Sequence, residues 1–372
     1  MTLNKDRILI IGGGVVGAML AYELSQRYSQ ITLLDRQPPA QASTGAALGV
    51  LMGAISRKTK GRAWAMRQQS LLRYDALVDE LQRQGHQVAY NRHGIVKLLF
   101  EEDDRDRWEA LAQARREQGW LLHLWSQETL LTHCPTVSLD NPQAGRVTGA
   151  VYSGGDRQVH PQQLTLALLE AARAQGTQTH FEASVKSLGE RHGRPYALLQ
   201  SGDRHEADWI IVAAGLGSAG LTQSLPHSSA VDIRPILGQA MEISLESPLD
   251  TAAFRPVVTG NDIHIVPLGT PADIATYWVG ATVEFPEDGD GTAIEAERQA
   301  MWAGAIAMCP PLASAQVLRT WWGKRPRPYG RPAPVIERLP AHPRVIVASG
   351  HYRNGVLLAP ATAQRVMELM QQ

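Results

Sequence analysis

Apolar positions along this chain follow two rhythms. Residues 7–11, RILII, form a nearly continuous apolar run, the mark of a strand buried on both faces of a parallel sheet. Residues 15–28 switch to helical spacing. Residues 31–34 return to a short apolar run that ends at Asp35. The succession predicts a βαβ unit. Residues 209–213 and 345–348 are further buried runs. Helices are predicted over 61–84, 104–118, from Ser126 to just before Pro135, from Pro161 to 175, over 293–308 and over 354–370. Pro161 suits a first helical position, where the missing N–H has no partner to lose. Residues 94–100 and 149–152 read as strands. Between 231 and 285 the pattern alternates as in antiparallel strands, at 240–243, 256–258, 263–266 and 277–281.

The parallel-type strands stand at the start, middle and end of the chain, with the alternating stretch and charged helices between them. That order predicts an α/β fold with a discontinuous Rossmann-type domain (1–88, 148–230 and 322–372). A second, α+β lobe on a mixed or antiparallel sheet takes 89–147 and 231–321. The length of 372 residues suits two such units.

Composition narrows the function. Lys+Arg and Asp+Glu both number 36, so no global basic field exists to hold nucleic acid or an anionic membrane. The two cysteines, Cys134 and Cys309, show no metal-ligand spacing or disulfide framework, which suits a reducing cytoplasm. The N-terminal apolar run is broken by glycines and leads into a helix, so it reads as strand, turn and helix rather than a signal peptide. No apolar run is long enough to predict a membrane-spanning helix.

The first chemical signal is Gly12-Gly13-Gly14-Val15-Val16-Gly17, a G-x-G-x-x-G turn between strand and helix. Gly12 allows the tight turn, Gly14 lets a pyrophosphate approach the backbone, and Gly17 lets helix and strand pack closely. Asp35, followed by Arg36, closes the next strand, where an acid holds a ribose hydroxyl. The small-residue segment 37–52 and the return of the apolar run at 209–213 favour FAD over NAD. An NAD-linked dehydrogenase remains a rival reading; it would be colourless.

These pieces together resemble the D-amino-acid oxidase superfamily of FAD-dependent oxidoreductases, most closely its glycine oxidase branch. The matching segments are IIGGGVVGAMLAYEL from Ile10, STGAALGVL from Ser43, VHPQQL from Val159, WIIVAAGLGS from Trp209, IHIVP from Ile263, WVGATVE from Trp278, GKRP from Gly323 and GHYRNGVLLAPATA from Gly350. They run the length of the chain, and the last is the most specific.

The resemblance implies a non-covalent FAD. Its partners would be Gly12, Gly14, Val15, Val16, Gly17, Asp35 and Arg36, then Ser43, Thr44, Gly45, Ala46, Ala47 and Gly49. Val185 would meet the adenine through its backbone, with Ala214 and Gly215 near it. Gly350, His351, Arg353, Asn354, Gly355, Val356 and Leu357 would bring a helix N-terminus to the flavin, where its dipole stabilises negative charge. Arg325 would take the substrate carboxylate with its planar donor fork and lie against the flavin. Arg353 and His264 would complete the catalytic set. No metal is expected.

The implied reaction is oxidation of the C–N bond of glycine or another small amino acid or amine. Hydride passes from Cα to flavin N5, the imine hydrolyses to an oxo acid, and O2 is reduced to hydrogen peroxide. A quinone or carrier acceptor, or a non-catalytic FAD-binding module, are alternatives. The resemblance further implies a homo-oligomer and a link to thiamine thiazole synthesis.

Three departures stand out. His264 occupies the place of a tyrosine, and a histidine's charge is expected to vary near neutral pH. Glu337 follows GRPAPVI where glycine is usual and is expected to narrow the site. Asp35 replaces a common glutamate, a small change in reach. Apart from these departures, the basic segment 57–62 reads as a solvated turn or, alternatively, an entrance favouring anions.

Overall fold

The computed structural model describes residues 3–141, 145–227, 231–251, 253–268, 275–285 and 293–372. Positions 252 and 269–274 of the alternating stretch lie outside them.

A six-stranded sheet forms one layer, in the order Gln178–His180, Tyr28–Leu34, Asn4–Ile11, Trp209–Val212, His342–Ser349, Val335–Leu339. The first five are parallel and the last is antiparallel to its neighbour. The central strands carry Ile10, Leu33, Ile211 and Ile346, all wholly buried, as a sheet covered on both faces requires. The helices Val15–Ser25, Pro161–Ala174 and Gly355–Gln371 pack on one face, and the long helix Gly61–Arg83 packs on the last of these. The first helix ends at Ser25, short of the expected 28, because Tyr28 already begins the next strand.

The second layer is a nine-stranded mixed sheet. From one edge its strands are Gln316–Pro328, Ile233–Ser244, Thr276–Gly280, Ile263–Pro267, Val257–Gly260, Ile95–Phe100, Gly145–Ser153 and Leu122–Trp125, with Asp140–Asn141 paired to the seventh. Strands Gly145–Ser153 and Gln316–Pro328 run across the positions 147/148 and 321/322 at which the sequence suggested boundaries.

Alternation assigns the faces of this sheet. Val96, Leu98, Phe100, Ile265, Tyr277, Val279 and Met241 point into a core closed by helices Gln127–His133 and Glu295–Met308. The intervening positions turn toward the core shared with the parallel sheet, where Ile95, Leu99, Val266, Trp278 and Ala240 lie. Period-two geometry therefore puts Lys97, His264, Gly280, Gly238, Gly323 and Arg325 on that inner face too. Two small antiparallel sheets complete the described strands: Val50–Leu51, Arg157–Val159 and Tyr90–Asn91, and Val185–Arg191, Arg194–Leu199 and Arg204–Glu206, the latter with no counterpart among the elements the sequence predicts.

Candidate active site

The glycine turn divides by what crowds each position. Gly12 has φ +119°, and a Cβ there would stand 2.4 Å from the Ala213 carbonyl oxygen. A Cβ on Gly17 would stand 1.8 Å from the Gly12 oxygen. Both are required by the chain's own packing. Gly14 differs: a Cβ would meet only Thr44 Oγ1, at 3.1 Å. No backbone fills the space beside it, which leaves room there for an external group. The residues fit a pyrophosphate there, with Val15 and Val16 opening the helix and Val15 N–H donating to Thr44 Oγ1 at 3.0 Å. Asp35 accepts from Gly13 N–H at 2.5 Å through Oδ2 and from Gln37 N–H at 3.0 Å through Oδ1. A carboxylate has lone pairs to spare beyond these two, so it fits a ribose hydroxyl. Arg36 is exposed.

Val185 packs in one cluster with Ala183, Ala214 and Leu216, and Ala183 N–H donates to the Asp35 carbonyl at 2.8 Å. Gly215, at φ +56°, is fixed by Ser349 Oγ, which donates to its carbonyl at 3.0 Å. Asp35, Val185, Ala214 and Gly215 thus gather where the parallel strands end.

The segment 43–49 is clamped to the edge strand Gln316–Pro328. Ser43 Oγ donates to the Lys324 carbonyl at 2.6 Å, and Trp321 Nε1 donates to the Ala46 carbonyl at 3.1 Å. Gly323 makes room for Ala46, whose Cβ would lie 2.3 Å from a Cβ on the glycine. Gly45 and Gly49 answer to the chain itself, since Cβ atoms there would fall 2.3 Å from the Ala40 oxygen and 1.8 Å from the Val159 oxygen. Ala47 is half-buried against the inner core.

Gly350 closes the adjoining strand and leads to the helix Gly355–Gln371, whose Asn354 cap makes no side-chain hydrogen bond. The N–H groups of Gly355, Val356 and Leu357 thus open the helix without a side-chain cap, a fit for electron-rich oxygen. The Val356 carbonyl accepts from the buried Tyr74 hydroxyl. His351 is 4% exposed, and its Nε2 meets Thr362 Oγ1 at 2.8 Å. Burial, with Arg62 adding to it, pushes its pKa down to about 3. Its imidazole is therefore a neutral core group occupied with Thr362, which leaves its backbone as the part available to a cofactor.

The inner sheet face forms the floor. Arg325 lies over Gly238, where a Cβ would come within 2.2 Å of its guanidinium. Its Nη1 donates to the Leu237 carbonyl at 2.9 Å and its Nη2 to the Thr282 carbonyl at 3.0 Å. Burial and the nearby Arg353 charge lower its pKa. His264 stands across Gly280 on the neighbouring strand, with Nδ1 buried and unpartnered. Burial first, then Arg353, pushes the His264 pKa down to about 4. This corrects the expectation of a charge that varies near neutral pH: desolvation keeps the ring neutral there. Arg353 pairs with Asp262 at 3.0 Å. Asn261 and Asp262, at φ +49° and +62°, form the two-residue hairpin turn before His264, a conformation asparagine and aspartate tolerate.

The structure therefore brings Arg325, Arg353 and His264 to one floor. It adds further residues: Gly238 and the Thr282 carbonyl against Arg325, Gly280 opposite His264, Lys97 two strands from His264, and Tyr352, at φ +54°. The sequence signal for Tyr352 was its place in GHYRNG. The others depend on strand register alone.

Glu337, expected to narrow the site, pairs bidentately with Arg331. The basic segment is a pinned turn. Arg57 pairs with Asp103 at 3.2 Å, the carbonyls of Ser56 and Lys58 accept from the buried Arg115 at 2.8 Å, and Arg62 donates to the Pro334 carbonyl at 3.2 Å. Among the described residues no helix is long and apolar enough to cross a membrane.

The profile of the FAD dependent oxidoreductase family (DAO) matches residues 7–369. The chain is 31% identical over 371 residues to the bifunctional protein ThiO/ThiG of Synechocystis sp., covering 98% of this chain and 51% of that protein. It therefore spans about half the length of that relative. It is 28% identical to the glycine oxidase of Bacillus subtilis, covering 97% of this chain and 92% of that one. The crystal structure of glycine oxidase from Geobacillus kaustophilus superposes with a TM-score of 0.85 at 24% identity, over 99% of this chain and 95% of the other. Strand order, glycine cradle and a match along nearly the whole chain agree: this protein belongs to the DAO family of FAD-dependent oxidoreductases.

Proposed function

We propose that this protein oxidises the C–N bond of a small amino acid or related amine, with glycine, the substrate named for several relatives, as the reference compound. The observation that carries the reading is Arg325, held across bare Gly238 by two backbone carbonyls. Those bonds fix the guanidinium plane and leave the rest of its donor fork for a carboxylate. Non-covalent FAD, when bound, supplies the acceptor for a hydride from Cα and passes the electrons on, in our reading to O2 with formation of hydrogen peroxide.

The cradle at Gly14, with Thr44, Asp35, Val185 and Gly215, would hold the nucleotide. The uncapped start of Gly355–Gln371 would meet negative charge on the flavin with its free N–H groups. The parallel sheet with its helices serves as the cofactor lobe and the nine-stranded sheet as the substrate lobe. Arg325 orients the substrate through its carboxylate, which sets Cα in place and spends binding energy on position. His264, neutral at pH 7, offers a hydrogen bond without adding charge. Release of the imine to water then gives an oxo acid and ammonia or a primary amine.

The test is anaerobic mixing of the FAD-loaded protein with glycine, sarcosine and D-alanine while following the flavin absorbance. Bleaching by one of them, and recovery with peroxide when air is admitted, is the expected outcome. A flavin that no amino acid or amine bleaches would overturn the reading.

A further inference from the structure

The floor of the site carries more cationic and donor capacity than one carboxylate uses. Strand register sets Lys97 opposite Thr259, Thr259 opposite His264, and His264 opposite Gly280. Residues directly opposite one another share a face, so Lys97 and His264 both stand on the inner face with Arg325. The carboxylates that could neutralise this row are engaged elsewhere. Asp262 is taken by Arg353. Glu284 accepts from Gln239, Thr282 and the Ile294 N–H. Asp103 is held by Arg57 and the Phe100 N–H. Lys97 forms no ion pair among the described residues; its ammonium lies 5.9 Å from the Trp108 ring centroid, and burial lowers its pKa. His264 Nδ1 is buried with no partner. A half-buried lysine and an unsatisfied imidazole on one face are costly in a protein that gives them nothing to hold.

Resting on the carboxylate role of Arg325 proposed above, we infer that Lys97 and His264 form a second anion subsite, so that the preferred substrate is an amine carrying a second carboxylate. The first carboxylate lies on Arg325, the amine stands between, and the second carboxylate accepts from His264 and meets the Lys97 charge. The relative named for glycine oxidation would then differ from this chain in the size and charge of substrate it takes.

Matched pairs test this on the FAD-loaded protein. Methoxyacetate and oxydiacetate are non-amine probes that differ by one carboxylate, and their binding is read from the perturbation of the flavin spectrum. Sarcosine and iminodiacetate are the corresponding amines. We expect oxydiacetate to bind at least about tenfold more tightly than methoxyacetate, and iminodiacetate to show the higher kcat/KM. Lys97→Met should remove most of that ratio, Lys97→Arg should restore it, and His264→Phe should reduce it. Equal binding of the two probes by the unaltered protein, or a ratio that survives Lys97→Met, overturns the inference. FAD content and melting temperature identify any variant that fails to fold; the wild-type ratio and Lys97→Gln then decide. Arg325→Met separates the two readings. If it weakens both probes, the carboxylate role of Arg325 stands whatever Lys97 does. If it weakens neither, that role fails while the Lys97 ratio still reports on the second subsite.

Discussion

The nucleotide crevice and the sheet floor are built by opposite means. In the crevice, close neighbours in sequence do the work: Gly12, Gly14 and Gly17 shape one turn, and Asp35 returns to bond Gly13. On the floor, Arg325, Gly238 and His264 come from separate strands and meet through register, with the Thr282 carbonyl just beyond a fourth strand. A local device tolerates distant change and fails when one of its own atoms is crowded. In the register-built region Gly238 is bare where the Arg325 side chain crosses it, and a Cβ added there meets that movable guanidinium rather than backbone.

Substitutions break this contrast in order of effect. Gly17→Ala puts a Cβ 1.8 Å from the Gly12 carbonyl oxygen, so helix and strand must separate; overpacking of this kind costs about 3 kcal/mol or more. Little folded, flavin-containing protein is expected, read by melting temperature and flavin content. Arg325→Met leaves the fold but removes the carboxylate partner, and kcat/KM should fall by about 10²–10³, in line with losing a charged hydrogen-bonded pair. A smaller fall would show that another cation holds the carboxylate.

A third effect is pH-dependent. Unfolded His351 takes up a proton below about pH 6.5 and the folded one only near 3. Between these values the folded state binds fewer protons, so stability is present above 6.5 and is lost as pH falls toward 3. From pH 7 to 5 the loss from this one group is about 2 kcal/mol. Denaturant unfolding of the unaltered protein and His351→Gln at the two pH values checks it: the variant should lose less on acidification. Arg353 and Asp262 are the charged pair nearest His264, whose own depressed pKa acts in the same direction.

The smallest effects sharpen the comparison most. Gly14→Ala crowds only Thr44 Oγ1. FAD affinity should drop about tenfold while the melting temperature of the flavin-free protein moves little, about 1.4 kcal/mol being lost in binding alone. Gly238→Ala displaces the Arg325 guanidinium from its seat and should raise KM about tenfold with FAD retained. If Gly14→Ala unfolds the protein, or Gly238→Ala strips the flavin, the two regions are not the separate devices described here.

Much of the first region was legible in the chain. The run 7–11, the glycine turn and Asp35 lie within one supersecondary unit, where spacing and conformation are dictated locally. The segments from Ser43 and Gly350 were legible through resemblance, and Arg325 and Arg353 with them. Other features were not. Val335–Leu339 and the three-stranded sheet at 185–206 are short, and part of their burial comes from neighbours far away in sequence. The His351 imidazole sits in a motif that points to a ligand, yet its partner is Thr362 on the helix that follows.

By itself, then, the sequence determined the βαβ unit, whose residues are close enough to constrain one another's backbone, and, through motifs spread along the chain, the resemblance that points to the cofactor class and the family. Only the tertiary structure decided which glycines serve the chain and which leave room for a ligand. It also decided that His264 is neutral, and that Lys97 shares its face. Those properties follow from desolvation and strand register, and both are set by neighbours that the order of residues does not bring together.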